Sequence, residues 1–346
     1  EVSKIGSGTV TVTGAGHTIT DDDVTIKDIT FTGSGATDIW GINTTAGALD
    51  AIDFDGNTFN GVDGSVDAID ISGNSSNALT NLTVQNNTFS GTSYYSIFGN
   101  STAVITGATI SGNTFNVDGI QLFLDANGYT NININNNTFN NITNYGLRLR
   151  TNASASGVFS NLDFTSNTFT GSNDVGVQIS NNAEDDDFDA ACSFTGNDFS
   201  GTFSVGAVFI ESTSFTSELI NFTGNWWGSA NGPTYADYNT YNTSSQGTTI
   251  NSAENYYCVK VAPWSTDGSF SAQFAPIYTA TSGIYGSSQV NPYASLKAAS
   301  DAVSGDGASH LHIATGTYSA ATADLDIADN ITWVNNGLVT VDEGQL

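Results

Sequence analysis

Apolar and polar residues alternate along this chain in short runs, and run after run ends on the same phrase. Residues 51–59 read AIDFDGNTF, in which Ile52 and Phe54 alternate with Asp53 and Asp55. That is the period-2 pattern of a strand with one buried face. The triplets LTV, ATI, INI, LDF, CSF and INF lead into later copies of the phrase, whose Asn residues are Asn57, Asn87, Asn113, Asn137, Asn167, Asn197 and Asn225. The steps between them are 30, 26, 24, 30, 30 and 28 residues, a period that denotes stacked supersecondary units. A second short strand follows in each unit, at residues 68–71, 96–99, 119–122, 146–149, 176–179 and 206–209.

The residue before each Asn is Gly56, Asn86, Gly112, Asn136, Ser166, Gly196 or Gly224. These are mostly types that tolerate left-handed backbone and bend the chain between strands without a long loop. The Asn is then expected to point inward and hydrogen-bond its counterparts above and below, forming a structural ladder. The aromatic ring two residues later is expected to stack on the next one in a buried column.

This pattern resembles the right-handed parallel β-helix family, the fold of pectate-lyase-like and many surface proteins. The resemblance implies an all-β solenoid, and its handedness comes with the family. With coils about 4.8 Å apart, roughly eleven or twelve coils would make a rod on the order of 55 Å long.

The ends set the expected organisation: coils over 1–224, a terminal capping module over 225–264, a Ser/Thr/Gly-rich linker with some extended segments over 265–288, and a restart over 289–346. Residues 225–264 are similar to the NWWG…GP…PW module that closes many surface β-helix domains. Trp226, Trp227 and Trp264 are the expected end cap, because a solenoid needs its last coil covered; exposed tryptophans could alternatively bind sugar rings. Residues 293–303 read as a short amphipathic helix with Leu296 on its apolar face, followed by strands that resemble the opening of a new β-helix. Placing the C-terminal end before the N-terminal start gives an uninterrupted opening module. The expectation is therefore head-to-tail assembly by strand addition, the segment from about 287 to 346 completing the first coils of the next copy. The expected interface is Val10, Val12, His17 and Ile19 on one side, with Leu296, His310, His312, Ile313, Tyr318, Ile331, Trp333, Leu338 and Val339 on the other. The chain could equally be one period of a longer tandem protein, and the absence of Met suggests a processed product or a part of something longer.

Composition narrows the function. With 34 acidic and 6 basic residues, net −28, the chain is unsuited to nucleic acid and repelled by anionic membranes. No run of 18 apolar residues is present, so membrane insertion is not expected. Catalysis is not expected either. Arg148 and Arg150 face outward from GLRLR, and their neighbours one coil away are Gln121 and Gln178, and Phe123 and Ser180, with no carboxylate among them. No cofactor is expected, except that the acidic loop EDDDFD offers Glu184, Asp185, Asp186, Asp187 and Asp189 as candidate Ca2+ ligands. His310 and His312 share a strand face but lack a third metal ligand, so packing is the expected role. Cys192 and Cys258 fit either a disulfide or two buried thiols. The sequence thus points to an extracellular or cell-surface structural solenoid whose partner is itself, with a carbohydrate-active or carbohydrate-binding solenoid, docking surface glycans, as the alternative.

Overall fold

The computed structural model describes residues 2–3, 10–33, 38–62, 67–73, 76–91, 94–125, 128–152, 155–180, 182–212, 220–230, 232–234, 247–252, 259–261, 264–265, 267–270, 273–274, 276–279, 310–313, 316–319, 332–335 and 339–342. Three parallel sheets wrap a narrow apolar core, each coil giving a strand to each sheet in turn. The first sheet contains Thr25–Lys27, Asp53–Asp55, Thr83–Gln85, Val104–Ser111, Tyr129–Asn135 and Phe159–Thr165. The second runs Val10–Thr13, Ile29–Thr32, Thr58–Val62, Thr88–Gly91, Thr114–Phe115, Thr138–Asn140 and Thr168–Thr170. The third, of nine strands, runs from His17–Ile19 at one edge to Ile250–Ser252 at the other.

The period-2 pattern fixes which side chains enter. In the first sheet Ile26, Phe54, Val84, Ile110, Ile134 and Phe164 are buried, and in the second Phe31, Phe59, Phe89, Phe115, Phe139 and Phe169 are. Between these sheets the chain turns through one left-handed residue: φ is +57° at Asp28, +67° at Gly56, +57° at Asn86, +64° at Gly112, +53° at Asn136, +56° at Ser166, +66° at Gly196 and +69° at Gly224. All seven predicted positions adopt this conformation, and Asp28 adds one more.

Among the described residues the third sheet stacks nine strands, and the later strands form separate small sheets. Pro276–Thr279 pairs in parallel with His310–Ile313, which pairs with Thr332–Asn335; Gly316–Ser319 pairs with Val339–Asp342. The Ser/Thr/Gly-rich stretch over 265–288 contains the short strands Gln273–Phe274 and Pro276–Thr279, Ser, Thr and Gly being residues that suit the turns beside short strands. The expected helix at 293–303 lies outside the described residues, as do Leu296, Ile331, Leu338 and Cys258. No helix among the described residues is long and apolar enough to cross a membrane.

Candidate functional site

The Asn ladder is continuous from Asn57 to Asn225. Each Oδ1 accepts the backbone N–H of the Asn one coil earlier, at 2.8 Å for Asn57 to Asn87, 2.9 Å for Asn87 to Asn113 and 2.7 Å for Asn197 to Asn225. From Asn57 to Asn197 each Nδ2 donates to the next Oδ1 and to a carbonyl of the previous coil, as Asn113 does to Asn137 at 3.0 Å and to Val84 at 2.8 Å. The first rung is made by Ile29, whose N–H donates to Asn57 Oδ1 at 3.0 Å. Outside this line the rings stack from Phe31 through Phe59, Phe89, Phe115, Phe139, Phe169 and Phe199 to Trp227, with centroids 4.8–5.2 Å apart. A buried amide with every donor and acceptor used locks register, because a slip would strand all of them at once.

At the cap, Trp227 is fully buried on Phe199. Trp264 is buried and donates Nε1–H to the Ala230 carbonyl at 3.2 Å. Its ring lies against the α-carbon of Gly232, whose φ is +77°; a Cβ there would sit 2.4 Å from the indole. Trp226 is half-buried.

At the opposite end Val10–Thr13 and His17–Ile19 are the edge strands of their sheets. Val10 is exposed, Val12 packs on the core and Ile19 is buried. The His17 ring lies 5.0 Å from Trp40, and His17 Nε2 and Trp40 Nε1 are both buried without a hydrogen-bond partner. His310, His312, Ile313, Tyr318, Trp333 and Val339 all fall within the C-terminal strands.

In the acidic loop, Asp187 and Asp189 turn their carboxylates to partners within the protein. Residues Asp185–Asp187 form one 3-10 turn, and the Asp187 carboxylate turns back to accept the Glu184 N–H at 2.9 Å. Burial raises Asp187 to about 6 despite that bond. Burial also works against the Asp189 carboxylate, yet Ser160 and the N–H groups of Asn161 and Ala191 hold it below the usual range. Glu184 and Asp186 are exposed. Among the described residues no three His, Cys, Asp or Glu side chains gather to hold a metal ion. Cys192 is a buried free thiol, raised to about 12 by burial, so it stays protonated and unreactive at neutral pH.

One cluster escaped the sequence reading. On the outside of the third sheet the register runs Asp70, Phe98, Gln121, Arg148, Gln178, Phe209. Arg148 Nη1 reaches past one coil to donate to the Tyr95 hydroxyl at 3.1 Å, and donates to Gln121 Oε1 at 3.2 Å. Arg150 lies over the Phe123 ring at 4.3 Å, the stacking its register neighbours implied. Below them Asp38 Oδ1 accepts the Asp67 N–H at 2.7 Å, and Asp67 Oδ1 accepts the Tyr95 N–H at 2.8 Å. Burial, then the charge of Asp38, pushes Asp67 up to about 7; the same two causes push Asp70 to about 6. Both Asp38 and Asp67 sit two residues before a third-sheet strand, and that spacing was the available signal.

No curated protein and no solved structure matches the chain. The sequence pattern of the right handed beta helix region matches residues 10–199, more than half of the chain, so this protein belongs to the right-handed β-helix family.

Proposed function

We propose that this protein is a structural, extracellular or cell-surface solenoid that stacks end to end on copies of itself, without catalysis. The observation that carries the reading is that, among the described residues, both ends present sheet edges without a further strand, with coil steps of similar length. At one end Val10 pairs with Ile29 and Val2 with Ile26, register steps of 19 and 24 residues. In the C-terminal strands Gly316 pairs with Val339 and His310 with Thr332, steps of 23 and 22. Thr332–Asn335 and Val339–Asp342 are edge strands, as are Val10–Thr13 and His17–Ile19. Edge strands with unpaired N–H and C=O groups are templates for strand addition. A head-to-tail contact of this kind uses two different surfaces, so it propagates into a filament unless it closes into a ring.

The N–H of Gly14 donates to Thr32 O, so strand alternation turns the N–H of Thr11 toward the open side. Thr11→Pro removes that donor while sparing the bonds to Ile29–Thr32. Light scattering and negative-stain microscopy are expected to find polymers of the unaltered chain, and single rods for Thr11→Pro and for a chain lacking 287–346. Polymers that persist without 287–346 would end the reading. Monodisperse short rods of the unaltered chain would favour the alternative of glycan binding on the third-sheet face, where Tyr94 is 52% exposed and packs edge-on against Tyr95.

A further inference from the structure

The outer face of the second sheet is unlike the other two. Thr11, Thr30, Thr58, Thr88, Thr114, Thr138 and Thr168 are register partners on consecutive strands, forming one uninterrupted file of threonines. A parallel file two residues along holds Thr13, Thr32, Asn60, Ser90, Asn116, Asn140 and Thr170. Within the second file side chains bond between coils: Ser90 Oγ to Asn60 Oδ1 at 2.7 Å, Asn140 Nδ2 to Asn116 Oδ1 at 3.0 Å and Thr170 Oγ1 to Asn140 Oδ1 at 3.2 Å. The threonines of the first file make no such side-chain bond among the described residues, so their hydroxyls face outward with donor and acceptor free.

This face is also regular. The rings directly beneath it, Phe59, Phe89, Phe115, Phe139 and Phe169, stack at 4.8–5.0 Å with interplanar angles of only 5–13°. Successive coils are therefore nearly pure translations from Thr58 to Thr168, without the usual accumulation of sheet twist, while Phe31 is inclined 22° to Phe59 at the start of the file. Threonine is stiff at χ1, so each carries its hydroxyl and methyl in a repeated position. The outcome is a flat grid, about 4.8 Å along the rod and roughly 6.6 Å along the strands.

Charge and ring chemistry restrict what such a grid meets. The chain carries −28, yet no second-sheet strand from Val10–Thr13 to Thr168–Thr170 contains a charged residue. The first-sheet strands carry Asp53, Asp55 and Asp163, and the third carries Asp70 and Arg148. An ionic partner is thus poorly matched. The aromatic rings of these strands point inward, leaving no stacking platform for sugar rings. What is left is a neutral, periodic array of hydroxyls that anchor water, separated by methyls that restrict it.

We propose that this face adsorbs to ice, its hydroxyl grid holding a layer of water continuous with the crystal lattice. The inference does not depend on end-to-end assembly. Thermal hysteresis and inhibition of ice recrystallisation would be measured on the intact chain, on Thr88→Tyr and Thr114→Lys in the middle of the grid, and on Thr83→Tyr on the first-sheet face. Circular dichroism and thermal melting establish that each variant is folded, as expected for outward positions. The unaltered chain and Thr83→Tyr are expected to restrain ice growth, and the two grid variants to lose that activity. An inactive unaltered chain, equal effects from both faces, or adsorption to microcrystalline cellulose in place of ice would each overturn the proposal.

Discussion

Asp67 does with a carboxylate what Asn57 does with an amide: its side-chain oxygen accepts a backbone N–H of an adjacent coil, that of Tyr95 in the following coil for Asp67 and that of Ile29 in the preceding coil for Asn57. An amide makes that bond without charge, whereas a carboxylate must be desolvated beside Asp38. The result is a carboxyl raised to about 7 from the ordinary 3.8. Because the folded state holds the proton more tightly than the unfolded chain, the protonated form adds stability that is complete below the ordinary carboxylate range. That stability is lost as pH rises through about 7. Asp67→Asn keeps the acceptor for Tyr95 and removes the ionisation. The variant is expected to melt above the unaltered protein at pH 8 and to show no such gain at pH 4. Equal melting temperatures at pH 8 would mean that Asp67 ionises in the fold without penalty.

At the scale of the turn, the ladder amides and the left-handed residue before each of them were legible, and the second left-handed turn of the coil was not. Asn137 accepts from the Asn113 N–H at 2.9 Å and from Asn113 Nδ2 at 3.0 Å, and donates to Ile110 O at 2.9 Å and Asn167 Oδ1 at 3.0 Å. Only an amide fits all four, so the sequence repeats it. Asn137→Ala leaves several buried groups unpaired at about 1–3 kcal/mol each, an expected loss on the order of 3 kcal/mol or more in denaturant unfolding. A loss below 1 kcal/mol would reduce the ladder to decoration. The unit at Asp28–Phe31 escaped notice because Ile29 stands where the Asn would be, its backbone N–H alone making the rung. A second left-handed position lies five residues ahead of the first, at Asp23, Ala51, Asn81, Gly107, Asn131 and Asn161, with φ from +52° to +76°. Nothing about Ala51 announces it, since the conformation is imposed by the coil rather than preferred by the residue. The cluster of Arg148 with Tyr95 was hidden for another reason: the bond crosses two coils, whereas the repeat aligns residues that are one coil apart.

Over the whole molecule, a solenoid differs from a globule in how damage spreads. Strand pairing and ring stacking join each coil to its immediate neighbours, so stability is close to a sum of coil and interface contributions, and the ends are the weak points. Trp227 is the last ring of the column, stacked on Phe199 at 5.0 Å, and its carbonyl accepts the Thr248 N–H at 2.8 Å. Trp227→Ala removes a fully buried ring, a change of about 3–5 kcal/mol where the surroundings cannot collapse. In a one-dimensional stack that change falls on the adjoining coils first. Amide hydrogen exchange is therefore expected to lose protection around Phe194–Phe199 and Ile220–Asn221 while Thr58–Phe59, Thr88–Phe89 and Thr114–Phe115 keep theirs. A uniform fall along the rod would show that the coils unfold as one unit, and that the stacked rings couple the ends more strongly than neighbour contacts alone allow.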